Sequence, residues 1–533
     1  MKKFGRICSN RVIDRVIVSM AILAALLTVF PQTVSAAERS GDPSAELRIG
    51  VQTLPDTLDA NASVSNAGIQ VYYNIYDTLI TRDSSSKTLA FKPGLALEWK
   101  QTGEFTWEIK LRPNVKFHDG STMTAEDVAY SLNRVIAEED PAYVTAHSYL
   151  LANFREFEVV APLTLAAHTF KNEPLFEHLL SDPNAGVTSK NYVKKVGIDK
   201  AALAPITTAP YKVAVFEPGQ KVELERFDDY WGAPAPFAKV SFTLIPEIAS
   251  RITAIMTGEM DMITNIPPDQ DKVFEGNDKI TLIGTVFPMY HIYCFVTSNP
   301  VTDNAKLRRA LDLAIDRQAI TDSLWEGKAE PAVAYQFKNY GDTLYFPDKE
   351  DIEYNLEEAK KLLAESDYNG ESVQIYNVSN YYTYADLAAQ AVIDMWKKIG
   401  VKGELVEVDS YTAIDRKKAG IRTWSNPLYY NDPMGVIERH WSPKGEAANQ
   451  KEFLPTEEYV RQFEIARYSP NSQERVKALR WMLDYFRSET PFIYLYKPYE
   501  SLAVRRGIDY QIPFNLRAHT LGLRSGEIKA SGR

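Results

Sequence analysis

Phe105-Thr106-Trp107-Glu108-Ile109-Lys110-Leu111-Arg112-Pro113-Asn114-Val115-Lys116-Phe117-His118-Asp119-Gly120 and the nearby Thr124-Ala125-Glu126-Asp127-Val128 set a strand, a turn and a helix start in one run. Phe105, Trp107, Ile109 and Leu111 fall on every second position, as a half-buried strand requires. Thr124 with Asp127 makes a capping-box start ahead of Val128, Leu132 and Val135, which share one helical face. His118-Asp119-Gly120 between them reads as a turn. An acid–base pair is the other reading of His beside Asp.

The same alternation of strand and helix continues in both directions. Leu47-Arg48-Ile49-Gly50-Val51 reads as the first strand, and Val240, Phe242 and Leu244 repeat the strand period until Pro246 closes the run. Leu307, Ala310, Leu311, Ala314 and Ile315 lie at helical spacing, as do Ala388, Ala391, Val392, Met395, Trp396 and Ile399. Asn355 and Glu358 start a further helix over Ala359, Leu362 and Leu363, and Val476, Leu479, Leu483 and Phe486 mark a late one. This order predicts an α/β protein. A break is expected near Asn299-Pro300, and Phe492-Ile493-Tyr494-Leu495-Tyr496 is expected to return to the first lobe.

The N-terminus has the form of an export signal. Lys2, Lys3, Arg6, Arg11 and Arg15 precede an apolar run from Val16 to Phe30, and Val34-Ser35-Ala36 offers small residues for cleavage. That run is shorter than the ~20 residues that span a bilayer, which favours cleavage over anchoring. No cysteine follows it, so no lipid acceptor is expected. The predicted product is periplasmic, with residues 1–36 removed.

Whole-chain charge is −10, and residues 1–36 carry five basic side chains and one acidic one, which leaves the remainder at roughly −14. Nucleic acid and anionic lipid both demand a basic face, so neither is expected as a partner. Of the two cysteines, Cys8 lies in the signal and Cys294 stands alone in an apolar strand. No disulfide is expected, and a large core must hold the fold.

The common catalytic constellations are missing. The chain has no G-x-S-x-G elbow, phosphate loop, G-x-G-x-x-G turn or H-E-x-x-H pair. Its seven histidines show no zinc-pair spacing. No cofactor or metal is expected, and a binding protein is favoured over a secreted hydrolase.

Six motifs then resemble one family. Phe91-Lys92-Pro93-Gly94-Leu95-Ala96 with Trp99, the run Leu111–Gly120, Thr124–Val128, Ala209-Pro210-Tyr211, Asp229-Tyr230-Trp231-Gly232 and Arg308 through Ala314-Ile315-Asp316-Arg317 resemble the peptide/nickel/opine class of solute-binding proteins, bacterial extracellular family 5. Asn355–Leu363 and Trp396–Val401 extend the match. The resemblance implies a two-lobe periplasmic binding protein fold (type II, cluster C-like) with an extra subdomain in the first lobe. It implies lobe I over 37–84, 206–298 and 491–533, the subdomain over 85–205, and lobe II over 299–490. Ligand would lie between closing lobes and pass to the permease of an ABC importer, with the protein acting as a monomer.

The resemblance also places ligand contacts. Tyr381, Tyr382 and Tyr384 form one aromatic segment, and Trp424, Asn426, Tyr429, Tyr430 and Asp432 form another. Tyr290 with His291, on the strand leading to Asn299, is a third candidate. Tyrosine and tryptophan suit a cleft because they join flat apolar area to one hydrogen-bonding group. Peptide-binding members carry an amine-pairing Asp where this chain has Tyr429, and dipeptide binders an Arg where it has Ser379. A dipeptide held at both ends is therefore disfavoured against an oligopeptide held by its backbone. An opine or sugar–amino-acid conjugate is the alternative ligand.

Overall fold

The computed structural model describes residues 46–63, 65–83, 90–136, 150–351, 353–379, 381–513, 516 and 518–530. The export segment expected at 1–36 lies outside them. Strand Glu46–Val51 sits at the heart of a seven-stranded sheet. The order is Ile280–Val286, Tyr499–Arg505, Met262–Ile266, Glu46–Val51, Lys239–Leu244, Lys221–Arg226, Tyr211–Glu217. Glu46–Val51 runs parallel to both neighbours, and Leu47, Ile49 and Val51 are fully buried, as an interior strand of a covered sheet should be.

A second sheet has six strands in the order Glu330–Pro331, Phe492–Lys497, Met289–Phe295, Ile421–Pro427, Ser372–Val378, Lys402–Val408. Helices Ala305–Leu313, Arg317–Leu324 and Ala385–Lys397 contribute to the core beside it, with Trp396 donating its indole N–H to the Leu311 carbonyl.

The chain crosses between the two sheets twice, and the crossings lie side by side. Val286 pairs with Tyr499 in the first sheet and His291 with Tyr496 in the second. Between these pairs the Phe287 N–H donates to the Pro498 carbonyl at 2.7 Å. Pro288 and Pro498 have no N–H to give, so neither crossing can continue a ladder.

The crossings lie at residues 287–288 and 498, whereas the expected boundaries were at 299 and 491. Met289–Phe295 and Phe492–Lys497 both belong to the second sheet, and the return strand is Tyr499–Arg505. An apolar run reads the same whichever sheet it joins, and Asn299-Pro300 marks only the approach to the next helix.

A third sheet, Ala96–Gly103, Thr106–Leu111, Thr164–Thr169 and Phe154–Ala161 in that order, packs on helix Ala125–Ile136. The helix begins where expected, with the Asp127 carboxylate accepting from the Thr124 N–H at 2.9 Å and the Thr124 hydroxyl at 2.8 Å. Gly120 has φ +84°, so His118-Asp119-Gly120 is a turn. This region was expected to be an appendage of the first lobe. Its core is continuous with the helices that follow the second sheet's Ile421–Pro427, through Trp441, Phe463 and Phe486. A buried ion cluster joins them as well: Arg467 holds Glu173 at 2.6 and 2.8 Å and Glu438 at 2.6 Å. Asn61 binds the Asn184 carbonyl and so ties the region to the first sheet's side too.

Candidate ligand-binding site

A cavity of about 420 Å³ opens where the two crossings meet the carboxyl end of strand Glu46–Val51. Open α/β sheets place ligands outside the carboxyl ends of parallel strands. The volume falls in the range of small-molecule clefts, about 300–1,000 Å³.

On the first sheet's side, the loop Gln52–Asp56 forms one wall and is fixed from below. Helix Asn66–Ile75 starts at Ser65, whose hydroxyl accepts from the Gly68 N–H at 3.0 Å. That helix then pins the loop, with Gln70 donating to the Thr53 carbonyl at 2.8 Å and the Tyr72 hydroxyl to the Thr57 carbonyl at 2.8 Å. Thr264 and Asn265 complete this wall. The ladder between Met262–Ile266 and Tyr499–Arg505 shifts register between Ile263 and Ile266, and Asn265 sits there at φ 55°. Such a bulge bends its strand and re-aims side chains.

The second sheet's side is aromatic. The His291 ring stacks on Tyr496 with centroids 5.3 Å apart and 7° between planes, and Tyr382 meets its edge at 5.1 Å. Trp325 packs against Tyr496 at 5.3 Å. Tyr382 is anchored by donating to the Ser425 hydroxyl at 2.9 Å while accepting from the Tyr411 hydroxyl at 3.0 Å. Burial pushes the His291 pKa down to about 3, so its ring is neutral.

Charge in the cavity is one-sided. Asp56 and Glu500 line it, and among the described residues no Lys or Arg does. Glu500 opens the return strand, and Asn265 Nδ2 lies 3.4 Å from its carboxylate. Burial pushes the Glu500 pKa up to about 7, partly offset by that amide.

Of the residues expected to contact ligand, Tyr381 and Tyr382 line the cavity. Tyr384 stands beyond it, packed on Trp325 at 5.1 Å and donating its hydroxyl to Asp269. The other expected positions lie in packed interior, outside the cavity lining. Tyr290 is fully buried, exchanging hydrogen bonds with the Gln336 backbone at 2.6 and 2.7 Å. Trp424 covers the Arg422 guanidinium at 3.6 Å and meets His440 at 4.3 Å. Asn426 binds Tyr335 and Trp441. Tyr429 accepts from Arg439 and pairs with His440 at 3.2 Å, while Tyr430 lies beside His178 and the Arg82 guanidinium. Asp432 accepts from Arg475 at 2.8 Å and from the Met434 N–H at 2.9 Å.

The reason is local. Trp424 and Asn426 sit on Ile421–Pro427, an interior strand buried along its whole length, and Asp432 fixes the start of helix Met434–Trp441. Of the candidate pair Tyr290 and His291, His291 lines the cavity, and sequence reading did not single out Trp325, Tyr496 or Glu500. A lone acid in the otherwise neutral Pro498-Tyr499-Glu500-Ser501-Leu502-Ala503-Val504 was the available signal for Glu500, because a carboxylate leading into a buried strand needs a reason.

Among the described residues, no group of three His, Cys, Asp or Glu could hold a metal ion. No described helix is long and apolar enough to cross a membrane.

Residues 90–448 match the model described as bacterial extracellular solute-binding proteins, family 5 Middle. The chain belongs to the family 5 bacterial extracellular solute-binding proteins. As a family 5 protein it is the periplasmic solute-binding component of an ABC importer: it binds a small molecule, works with a membrane permease and is not an enzyme. A glutathione-binding protein, GsiB of Pectobacterium atrosepticum, is 28% identical over 391 residues, 70% of this chain and 71% of that one. Two solved structures share the fold. Helicobacter pylori DppA, in complex with the peptide STSA, has a TM-score of 0.81 at 19% identity over 92% of this chain and 98% of its own. AgaA of A. tumefacien R10, in complex with agropinic acid, has a TM-score of 0.77 at 22% identity over 87% and 94%. The two-lobe fold expected from the sequence is therefore the fold of this family 5 chain.

Proposed function

We propose that this family 5 protein captures a peptide longer than a dipeptide in the cavity at the crossings, and closes its two lobes around it. The lobes are assigned as residues 46–83, 206–287 and 499–530 for the first, and 289–497 for the second, with 90–205 as the subdomain. The reading rests chiefly on the cavity's position: its walls come from both sheets and meet at the paired crossings. A solute that touches both walls favours the closed state through exactly those two-sided contacts, since only differential contacts shift such an equilibrium.

The chemistry of the walls supports a backbone-held ligand. Neutral hydrogen-bonding groups (Gln52, Thr53, Asn66, Thr285) face an aromatic surface, and among the described residues no Lys or Arg lines the cavity to fork a terminal carboxylate. Family relatives named for glutathione, and a structural neighbour holding the peptide STSA, agree with a peptide-sized solute. The aromatic wall and the neighbour holding agropinic acid favour an opine or sugar–amino-acid conjugate as the second reading. We further assign a signal removed after residue 36, no lipid anchor, and a monomer.

A thermal-shift screen across oligopeptides, dipeptides, opines, sugars and amino acids tests this. A solute at a hundred times its Kd stabilises by about 2.7 kcal/mol. The expected result is a raised melting temperature with tri- to pentapeptides and a smaller one with dipeptides. Shifts confined to opines or sugars would move the assignment to the second reading.

A further inference from the structure

The one-sided charge of the cavity identifies which solutes suit it. Glu500 is a half-buried carboxylate of the lining, and among the described residues no Lys or Arg lines the cavity beside it. Among the described residues its carboxylate accepts from the Asn265 amide at 3.4 Å, a long hydrogen bond. Its altered acidity traces to burial and that amide, with no basic side chain contributing. Asp56, the other carboxylate of the lining, adds to the negative potential, and the two histidines of the lining, His291 and His519, bring no Lys-like or Arg-like permanent charge.

Burying a carboxylate unpaired is unfavourable, and a cation beside it removes most of that penalty. Two further polar atoms of lining residues point the same way. His291 Nε2 and Ser501 Oγ are buried and have no hydrogen-bond partner. Native interiors leave few such atoms unsatisfied, and those that persist call for a bound group. The Asn265 bulge, strained by its positive φ, is the feature that puts the amide beside the Glu500 carboxylate.

We propose that Glu500, steadied by Asn265, is the subsite for a protonated amine of the solute, and that the protein selects amine-bearing solutes over anionic ones. The ammonium supplies the missing counter-charge, donating to the Glu500 carboxylate. A ligand carboxylate at that subsite would meet Glu500 in a lining that also holds Asp56 and, among the described residues, no Lys or Arg. This rests on reading the cavity as the solute site, and it narrows the class of solute.

The test uses calorimetry on the full-length protein at pH 7.5 with four probes: tetra-alanine amide, its N-acetyl derivative, cadaverine and succinate. Wild type and Glu500→Gln are compared, and the ligand-free melting temperature of the variant checks its folding; Gln keeps the shape and removes a buried charge. A hydrogen bond to a charged group is worth about 10- to 100-fold in affinity. The wild type is expected to bind tetra-alanine amide that much more tightly than the acetylated peptide. Glu500→Gln should bind both alike, and succinate should not bind the wild type. If cadaverine binds the wild type and not the variant while neither peptide binds, the amine subsite stands and the peptide reading fails. Equal affinity for both peptides in the wild type overturns the amine subsite and leaves the peptide reading intact. Absence of binding by every amine-bearing probe, or succinate binding best, also overturns it.

Discussion

Asp271→Asn should loosen the closed state without harming either lobe. Asp271 lies on the short helical turn Pro268–Phe274 beyond strand Met262–Ile266, and Lys328 follows helix Arg317–Leu324 beside the second sheet. They meet at 2.8 Å across the cleft mouth, with side chains 13% and 33% exposed. Lys272 reaches Glu326 at 3.4 Å, and Tyr384 donates to Asp269 close by. On the lobe assignment proposed above all three contacts join one lobe to the other, so opening would break them. A fully exposed pair is worth about 0.2–1 kcal/mol. Breaking a buried pair costs about 3–5 kcal/mol. This one is half-buried and screened on the Lys328 side, so about 1 kcal/mol is expected, or roughly fivefold in the closed-to-open ratio and in solute affinity. The assay is a double-mutant cycle on affinity with Asp271→Asn, Lys328→Met and the pair. Coupling near 1 kcal/mol at low salt should shrink by half or more in 1 M salt, where the Debye length is about 3 Å. Additive single effects, or coupling indifferent to salt, would refute the idea that this pair latches the lobes.

Four further outcomes follow from the same geometry. Trp424→Ala empties a packed site over Arg422 and should cost about 3–5 kcal/mol in thermal unfolding. Tyr381→Ala, at a 41% exposed residue on the cavity rim, should weaken solute binding with little change in melting temperature. Arg467→Ala strands Glu173 and Glu438 in the interior, and chemical denaturation should show a loss of about 3–5 kcal/mol. Glu500 gives a pH signature without any ligand. Its folded pKa, about 7, exceeds the ordinary carboxylate value, so the folded state binds the extra proton between about 4.3 and 7. Stability from this group is thus present below pH 4.3 and lost as pH rises to 7. Melting curves of wild type and Glu500→Gln should converge at pH 4 and separate at pH 8, with the variant higher.

The elements of the fold were largely legible, and the site was not. Alternation at Phe105–Leu111, the Thr124 and Asn355 starts and the Trp396 face each report on neighbours a few residues away, and each stands where the sequence put it. The cavity depends on long-range placement. Its walls draw on the Gln52 loop, the Asn265 bulge, the Tyr381 segment and both crossings, and no local pattern couples them. Strand Met289–Phe295 offered Tyr290 and His291 together: Tyr290 packs against Tyr335 and Phe337, whereas His291 reaches the cavity. Strand period alone gives two faces and does not say which is wet. In Trp424–Asp432, the Asn and Pro residues that suggest a loop instead occupy a buried strand end and a helix start.

A co-crystal structure with the solute giving the largest thermal shift tests the central claim most directly. The account expects that solute intact in the cavity, touching Tyr382 and His291 on one side and the Gln52–Asp56 loop on the other, with an amine at Glu500. Density for the solute against Trp424 and Tyr429, on the outer surface, or present only as a cleaved product would contradict it.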